Sequence, residues 1–150
     1  MAGILVKPPF QKEETLVVPN LVGSLDLVVV SGLANFTVGD IKGSDDDDGT
    51  TVEFRAEMFV GPLWRNVQDV SPQVLISGYR HDSPDTADKA GHTALECTWE
   101  FKASPPPQRI KLIYRFALWG GDDAKVDQLS YQLTAFGEMW PGQNFDGPGK

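Results

Sequence analysis

The chain has 150 residues, 41% of them hydrophobic and 23% charged, a composition that suits one globular domain and excludes disorder of the whole chain. Its 21 acidic residues outnumber 13 basic ones, and the net charge of −8 argues against nucleic acid or an anionic membrane surface as a partner. The single cysteine, Cys97, excludes an internal disulfide.

The two ends of the chain differ from its middle. Residues 1–14 and 141–150 are rich in proline, glycine and polar residues, and we interpret them as an N-terminal arm and a C-terminal tail around a domain of residues 15–140. The apolar run at residues 4–6 is too short for the core of a signal peptide, and residues 25–30 fall short of the roughly 20 needed to cross a bilayer. We therefore expect a soluble chain without an export signal, and the compartment stays open.

Alternation of apolar and polar residues with a period of two dominates the domain and indicates half-buried β-strands. In chain order, the predicted strands cover residues 15–19, 25–31, 33–38, 51–60, 72–80, 92–103, 108–119 and 126–137. Turn residues separate them, and residues 61–71 are predicted to be a connection because they contain Gly, Pro, Asn and Asp. No segment has a convincing helical pattern.

The last three predicted strands can be set in register. On the inner face, the first hairpin pairs Trp99 with Leu112, Cys97 with Tyr114 and Leu95 with Phe116. On its outer face, the pairs are Glu100 with Lys111 and Glu96 with Arg115, and such opposite charges stabilise by roughly 0.2–1 kcal/mol per pair. A second hairpin, closed by residues 120–124, pairs Leu118 with Leu129, Phe116 with Tyr131 and Tyr114 with Leu133.

About seven or eight short strands with one buried face predict an all-β fold. We expect a single antiparallel β-sandwich, of the jelly-roll or immunoglobulin-like two-sheet type, with an antiparallel β-barrel as the alternative. Because consecutive antiparallel strands reverse direction, alternate connections should emerge at the same end of the domain.

Eleven aspartates lie in three such alternate connections, at residues 40–48, 82–88 and 122–127. Crowded carboxylates repel one another unless water, salt or a cation relieves them, and Ca²⁺ takes about six to eight oxygen ligands. The candidate metal ligands are Asp45, Asp46, Asp48, Asp82, Asp122 and Asp123. Residues 43–50 do not match an EF-hand loop, since Arg55 stands where a bidentate Glu is needed, and solvated turns are the alternative.

Residues that could carry catalysis are few. His81 and His92 belong to no recognisable ligand or triad spacing, and Cys97 shares the predicted inner face with Trp99, which favours an inert thiol. Two acid pairs have the spacing of a glycoside hydrolase along one strand face: Glu53 with Glu57, and Glu96 with Glu100. Basic residues alternate with them or face them, which favours a salt-bridged surface.

Aromatic residues supply the second candidate site. Trp64 lies in the predicted connection, Trp119 lies beside a turn, and Trp140 follows the last strand, while Phe136 faces outwards. An exposed Trp stacks on sugar rings or anchors a protein interface. These four residues form a candidate binding surface, and the alternative for each Trp is to cap an open edge of the sandwich.

Together these features favour a non-catalytic binding or assembly module, in its most concrete form a structural subunit of a viral particle or another ordered assembly. The expected partner is a protein, including a second copy of the chain. The alternatives are a calcium- or carbohydrate-binding β-sandwich domain and a carboxylate-dependent hydrolase. No cofactor is expected, and Ca²⁺ is the only candidate.

Overall fold

The computed structural model describes residues 3–44, 51–82 and 90–143, which form eight β-strands. The strands are β1 (Ile4–Val6), β2 (Phe10–Val22), β3 (Leu25–Asn35), β4 (Ile41–Lys42), β5 (Val52–His81), β6 (Gly91–Glu100), β7 (Gln108–Trp119) and β8 (Ala124–Met139). The prediction of an all-β, mainly antiparallel chain is confirmed. Within these ranges there is no helix of the length and apolarity needed to span a membrane.

All eight strands belong to one hydrogen-bonded sheet, whose main path runs β2-β3-β8-β5-β7-β6. β5 is 30 residues long and takes part in two ladders, because residues 52–60 pair with β7 and residues 66–81 pair with β8. Trp64 is the junction, since its partners are Gln108 of β7 and Met139 of β8. β1 pairs with β5 in parallel, and β4 pairs with β8.

We call β2, β3, β8 and the second half of β5 the front section, and β1, the first half of β5, β7 and β6 the back section. One hydrophobic core contains side chains of both sections, for example Val30 and Leu133 from the front and Phe54 and Leu112 from the back. Burying a side chain of this kind contributes roughly 1.5–3 kcal/mol. The residues between them on each strand face outwards, which explains the period-two pattern.

Residues 61–71, predicted to be a connection, are instead part of β5. Gly61 has a positive φ of 76°, and the register shifts three times between Val60 and Asp69. The residues typical of turns therefore lie at β-bulges, where β5 passes from β7 to β8. Turns and bulges use the same residue types, so the composition of this segment could not separate them.

The predicted register of β6 with β7 is confirmed from Glu96 to Glu100. Before Glu96 the register shifts, and Phe116 pairs with Ala94 instead of Leu95. Leu95 is the extra residue of this bulge, without a partner in the ladder, and it is 46% exposed.

The predicted hairpin register between β7 and β8 is wrong. β7 pairs with β5 and β6, whereas β8 pairs with β3, β4 and β5. The turn at residues 120–123 therefore carries the chain from the back section to the front section. Leu118, Leu129 and Tyr131 are still buried as predicted, because alternation indicates the face that a strand presents to the core and not its neighbour.

Part of the predicted N-terminal arm is strand. β1 lies at Ile4–Val6 and β2 begins at Phe10, well before the predicted start at residue 15. The charged run at residues 12–14 interrupts the apolar alternation that would have indicated this part of β2. The predicted strands 25–31 and 33–38 are one strand, β3, with Gly32 inside its ladder. Of the predicted C-terminal tail, only residues 141–143 are described.

Candidate functional site

β2 forms a free edge of the front section. It is the last strand of the sheet path, and among the described residues its ladder partner is β3 alone. Its outward side chains Phe10, Leu16 and Val18 are 57%, 45% and 40% exposed, and the following residues add Leu21 and Val22. A 13-residue edge strand with this much exposed apolar surface is a template for pairing with another chain.

Two charged residues interrupt the apolar side chains on the outward face of β2. Lys12 and Glu14 are exposed, and neither forms an ion pair or side-chain hydrogen bond within residues 3–44, 51–82 and 90–143. The outward face of β2 therefore carries an apolar residue, a cation, an anion and an apolar residue in succession.

Glu13, between these two charges, points inwards and ties β2 to the back section. Its carboxylate accepts hydrogen bonds from the Tyr131 hydroxyl at 2.6 Å, the Gly61 N–H at 2.9 Å and Arg109 Nη2 at 3.3 Å. Arg109 Nε donates to the Gly61 carbonyl at 2.9 Å. This polar cluster holds β2 against the bend of β5 and the start of β7. The edge strand β2 is therefore fixed to the rest of the domain.

Tyr131 reaches Glu13 across β3 because a glycine lies between them. Gly32 pairs with Glu13 on one side and with Tyr131 on the other, and a Cβ at this position would overlap the Tyr131 ring. The position therefore requires glycine for close packing. Tyr131 is 3% exposed, and burial together with the hydrogen bond to Glu13 raises the pKa of its hydroxyl.

Stability at alkaline pH should depend on the tyrosines. Burial raises the pKa of Tyr79, Tyr114 and Tyr131 above the value near 10 of an unfolded chain. Above that pH the unfolded chain loses protons that the folded chain keeps, so the free energy of unfolding falls as the pH rises. We expect urea unfolding to show a lower free energy at about pH 11 than at about pH 8, and a smaller fall in Tyr131→Phe. An equal fall in both proteins would contradict the contribution of Tyr131.

The outer face of the back section carries a paired charge network. Its ion pairs are Arg115 with Glu53 and Glu96, Lys111 with Glu57 and Glu100, and Arg55 with Glu57. Burial alone would raise the pKa of Glu57, but hydrogen bonds and charges from Arg55 and Lys111 lower it. The outer pairs predicted between β6 and β7 are confirmed, and the acid pairs with hydrolase spacing are salt-bridged, as expected.

Trp64 does not belong to any surface. It is 0% exposed, so the prediction of an exposed Trp64 is wrong. The error follows from assigning residues 61–71 to a connection, whereas Trp64 lies in β5 at the junction of the two ladders. Within the part of the chain that the structure describes, its Nε1–H has no hydrogen-bond partner.

The other three candidate aromatics are half-buried and lie apart. Trp119 ends β7 beside the turn that leads into β8, whereas Trp140 follows the opposite end of β8, where the Arg65 guanidinium lies 5.4 Å from its ring centroid. Phe136 faces outwards on β8, in the ladder between β3 and β5. Phe136 thus shares the outer face of the front section with the apolar residues of β2, but the four aromatics do not form one surface.

The described parts of the three acidic connections meet at one end of the domain. Asp82 N–H donates to the Asp123 carbonyl at 3.1 Å, and Gly43 N–H donates to the Ala124 carbonyl at 2.9 Å. The Asp82 carboxylate is bound by Lys125 Nζ at 2.6 Å, which lowers the pKa of Asp82.

Asp122 and Asp123 are half-exposed beside it. Asp45, Asp46 and Asp48 lie outside the described residues. Among those described, no group of three or more Asp, Glu, His or Cys side chains is placed to hold a metal ion. The calcium site stays a prediction.

Comparisons with known proteins identify no relative. No family model matches the chain, and no curated protein or solved structure matches it either. Its function therefore has to be inferred from its own residues.

The two histidines and the cysteine each have different neighbours. His92 is exposed and its ring lies 4.7 Å from that of Tyr79, whereas His81 Nε2 lies 3.2 Å from the Gly120 carbonyl. Cys97 is half-buried, and burial raises the pKa of its thiol, which disfavours the thiolate that a nucleophile needs.

Glu13, Gly32, Arg109 and Tyr131 had not been expected to act together. The sequence feature that could have indicated this cluster is an acidic residue, Glu13, on the inner face of a strand. If β2 is extended backwards from Thr15, Glu13 falls on the same face as Thr15, and a buried carboxylate requires hydrogen-bond donors. This feature predicts that Glu13 needs hydrogen-bond donors, but it does not predict which residues provide them.

Proposed function

We propose that this chain is a non-catalytic assembly module that pairs with a second copy of itself along the free edge of β2. The observation that carries the proposal is the order of the outward side chains on this strand: Phe10, Lys12, Glu14 and Leu16. This order is self-complementary when β2 meets a copy of itself that runs in the opposite direction.

Antiparallel pairing centred on Glu13 places Lys12 of each copy opposite Glu14 of the other. The same register places Phe10 opposite Leu16, also twice. Each such cross-strand pair contributes roughly 0.2–1 kcal/mol, and the backbone groups of both free edges gain hydrogen-bond partners. A shift of two residues sets Lys12 opposite Leu16 and loses both ion pairs, so the charges select one register.

The inward residue at the centre of this pairing supports the same register. Glu13 of each copy already accepts hydrogen bonds from Arg109, Tyr131 and Gly61, so its charge is compensated within its own chain. A contact of this kind uses the same patch on both copies and closes at a dimer. Larger ordered assemblies would be built from such dimers through other faces.

Light scattering over a series of protein concentrations tests the proposal. The unmodified chain should approach twice its mass of 16.4 kDa as the concentration rises. Lys12→Glu and Glu14→Lys each set like charges opposite one another, so each variant alone should stay monomeric. The double variant K12E/E14K, and an equimolar mixture of the two single variants, restore opposite charges and should dimerise.

Lys102→Glu is the matched control for Lys12→Glu. Lys102 is exposed beyond the end of β6, and its replacement changes the net charge by the same amount. This variant should dimerise like the unmodified chain. An unmodified chain that is monomeric at every concentration, or a double variant that does not recover the dimer, would overturn the proposal.

A further inference from the structure

A groove of about 460 Å³ lies open on the outer face of the front section. One row of its lining crosses all four strands through ladder partners, from Glu14 on β2 through Ser31 on β3 and Gln132 on β8 to Gln73 on β5. Neighbouring strands are about 4.8 Å apart, so this row extends over about 14 Å. The groove is therefore continuous across the section.

A second row runs beside the first. It contains Lys12 on β2, Leu33 on β3, Ser130 on β8 and Leu75 on β5. Leu33 and Leu75 are 37% and 60% exposed. The second row thus adds apolar surface beside the amides and hydroxyls of the first.

Apart from Lys12 and Glu14, which the proposed dimer contact uses, the polar side chains of the two rows are free to bind a ligand: Ser31, Gln73, Ser130 and Gln132. None of them hydrogen-bonds or ion-pairs through its side chain with another residue in the described ranges. On the outer face of the back section, by contrast, Arg115 and Lys111 are each ion-paired with two glutamates. The two outer faces therefore differ in kind: the charges of one are satisfied internally, and the donors and acceptors of the other are available.

We propose that this groove binds a neutral oligosaccharide. Amide and hydroxyl side chains such as Gln73, Gln132 and Ser31 both donate and accept hydrogen bonds, as sugar hydroxyls do. In the lining, Lys12 and Glu14 offset each other, and the charge of Glu13 is compensated by Arg109, which disfavours a strongly charged ligand. The exposed leucines offer apolar contact to the C–H faces of sugar rings, and an open groove admits an extended chain.

This site is complete within one chain and does not rest on self-association. Gln73 and Gln132 lie on β5 and β8, away from the free edge of β2, so variants at these positions leave the proposed dimer contact unchanged. Failure of sugar binding and failure of dimerisation can therefore be told apart.

Titration of the full chain, followed by isothermal calorimetry and by amide chemical shifts, tests the proposal. The probes are cellohexaose, xylohexaose, mannohexaose and chitohexaose, with a neutral Gly/Ser/Asn decapeptide as the competing class of ligand. We expect saturable binding of at least one sugar, with shifts at Ser31, Ser130 and Gln132. Gln73→Ala and Gln132→Ala should each weaken that binding about tenfold, since each removes hydrogen bonds to the ligand.

Gln68→Ala is the matched control, because Gln68 is an exposed glutamine of β5 outside the groove. It should bind the sugar like the unmodified chain. Circular dichroism and the thermal midpoint should be unchanged in all three variants, which separates lost contacts from lost folding. Absence of binding by all four sugars, binding that both groove variants leave unchanged, or binding of the decapeptide alone would overturn the proposal.

Discussion

Replacing Trp64 with alanine is expected to lower the free energy of unfolding by roughly 3–5 kcal/mol, the range for removing a large aromatic side chain from a packed core. Trp64 is fully buried and pairs with both β7 and β8. A cavity at this position weakens the packing where the front and back sections join, so the loss of free energy should lie towards the upper end of this range. Urea unfolding followed by far-ultraviolet circular dichroism measures it.

Trp64→Phe is the matched variant. Phenylalanine keeps an aromatic ring but removes the Nε1–H, which is buried and has no hydrogen-bond partner in the described residues. An unsatisfied buried donor costs about 1–3 kcal/mol, and its removal offsets part of the lost packing. We expect less than half the loss of Trp64→Ala. If Trp64→Ala and Trp64→Phe lowered the free energy of unfolding equally, an aromatic ring at position 64 would not stabilise the junction.

Glu13→Ala is expected to lower the free energy of unfolding by roughly 2–4 kcal/mol, because it leaves the Gly61 N–H and the Tyr131 hydroxyl without an acceptor. Gln11 is a donor in this cluster and does not replace the lost acceptor, since its Nε2 donates to the Phe59 carbonyl and to the Tyr131 oxygen. Arg109 keeps its hydrogen bond to the Gly61 carbonyl, which limits the loss. Urea unfolding at a concentration where the chain is monomeric measures the effect.

A double-mutant cycle measures the interaction free energy between Glu13 and Tyr131. Glu13→Ala combined with Tyr131→Phe removes donor and acceptor together, so its loss should be smaller than the two single losses combined. Glu14→Ala is the neighbouring control. Its side chain points outwards and is unpaired within the described residues, and it should change stability by no more than about 0.5 kcal/mol. Additive losses would indicate that Glu13 and Tyr131 act separately.

Much of the fold could be predicted because alternation indicates which face of a strand meets the core. The strand predicted at residues 108–119 matches β7 at both ends, and Ile110, Leu112 and Tyr114 are buried as expected. The choice of neighbouring strand could not be predicted in the same way. A turn that closes a hairpin and a turn that links two sections have the same composition, and residues 120–123 are of the second kind.

The candidate site was less accessible to sequence reasoning because its parts are distant in the chain. Glu13 is 48 residues from Gly61 and 118 residues from Tyr131, and they meet only in the folded sheet. The order of Lys12 and Glu14 is visible in the sequence, but it suggests an interface only once β2 is known to be an edge strand. Trp64 was assigned to the surface because Gly61 and Pro62 shortly before it resemble a turn.

The course of β5 determines when the chain can fold during synthesis. Apart from the β2–β3 and β6–β7 hairpins, every ladder among the described residues joins strands that are not consecutive in the chain. A chain that emerges from the ribosome can complete neither section until β7 and β8, in its last third, are available. Until then β3 has only β2 beside it and the 30-residue β5 has only the short β1, so translation that stops before Gln108 would release a form with long unpaired strand edges that is exposed to aggregation.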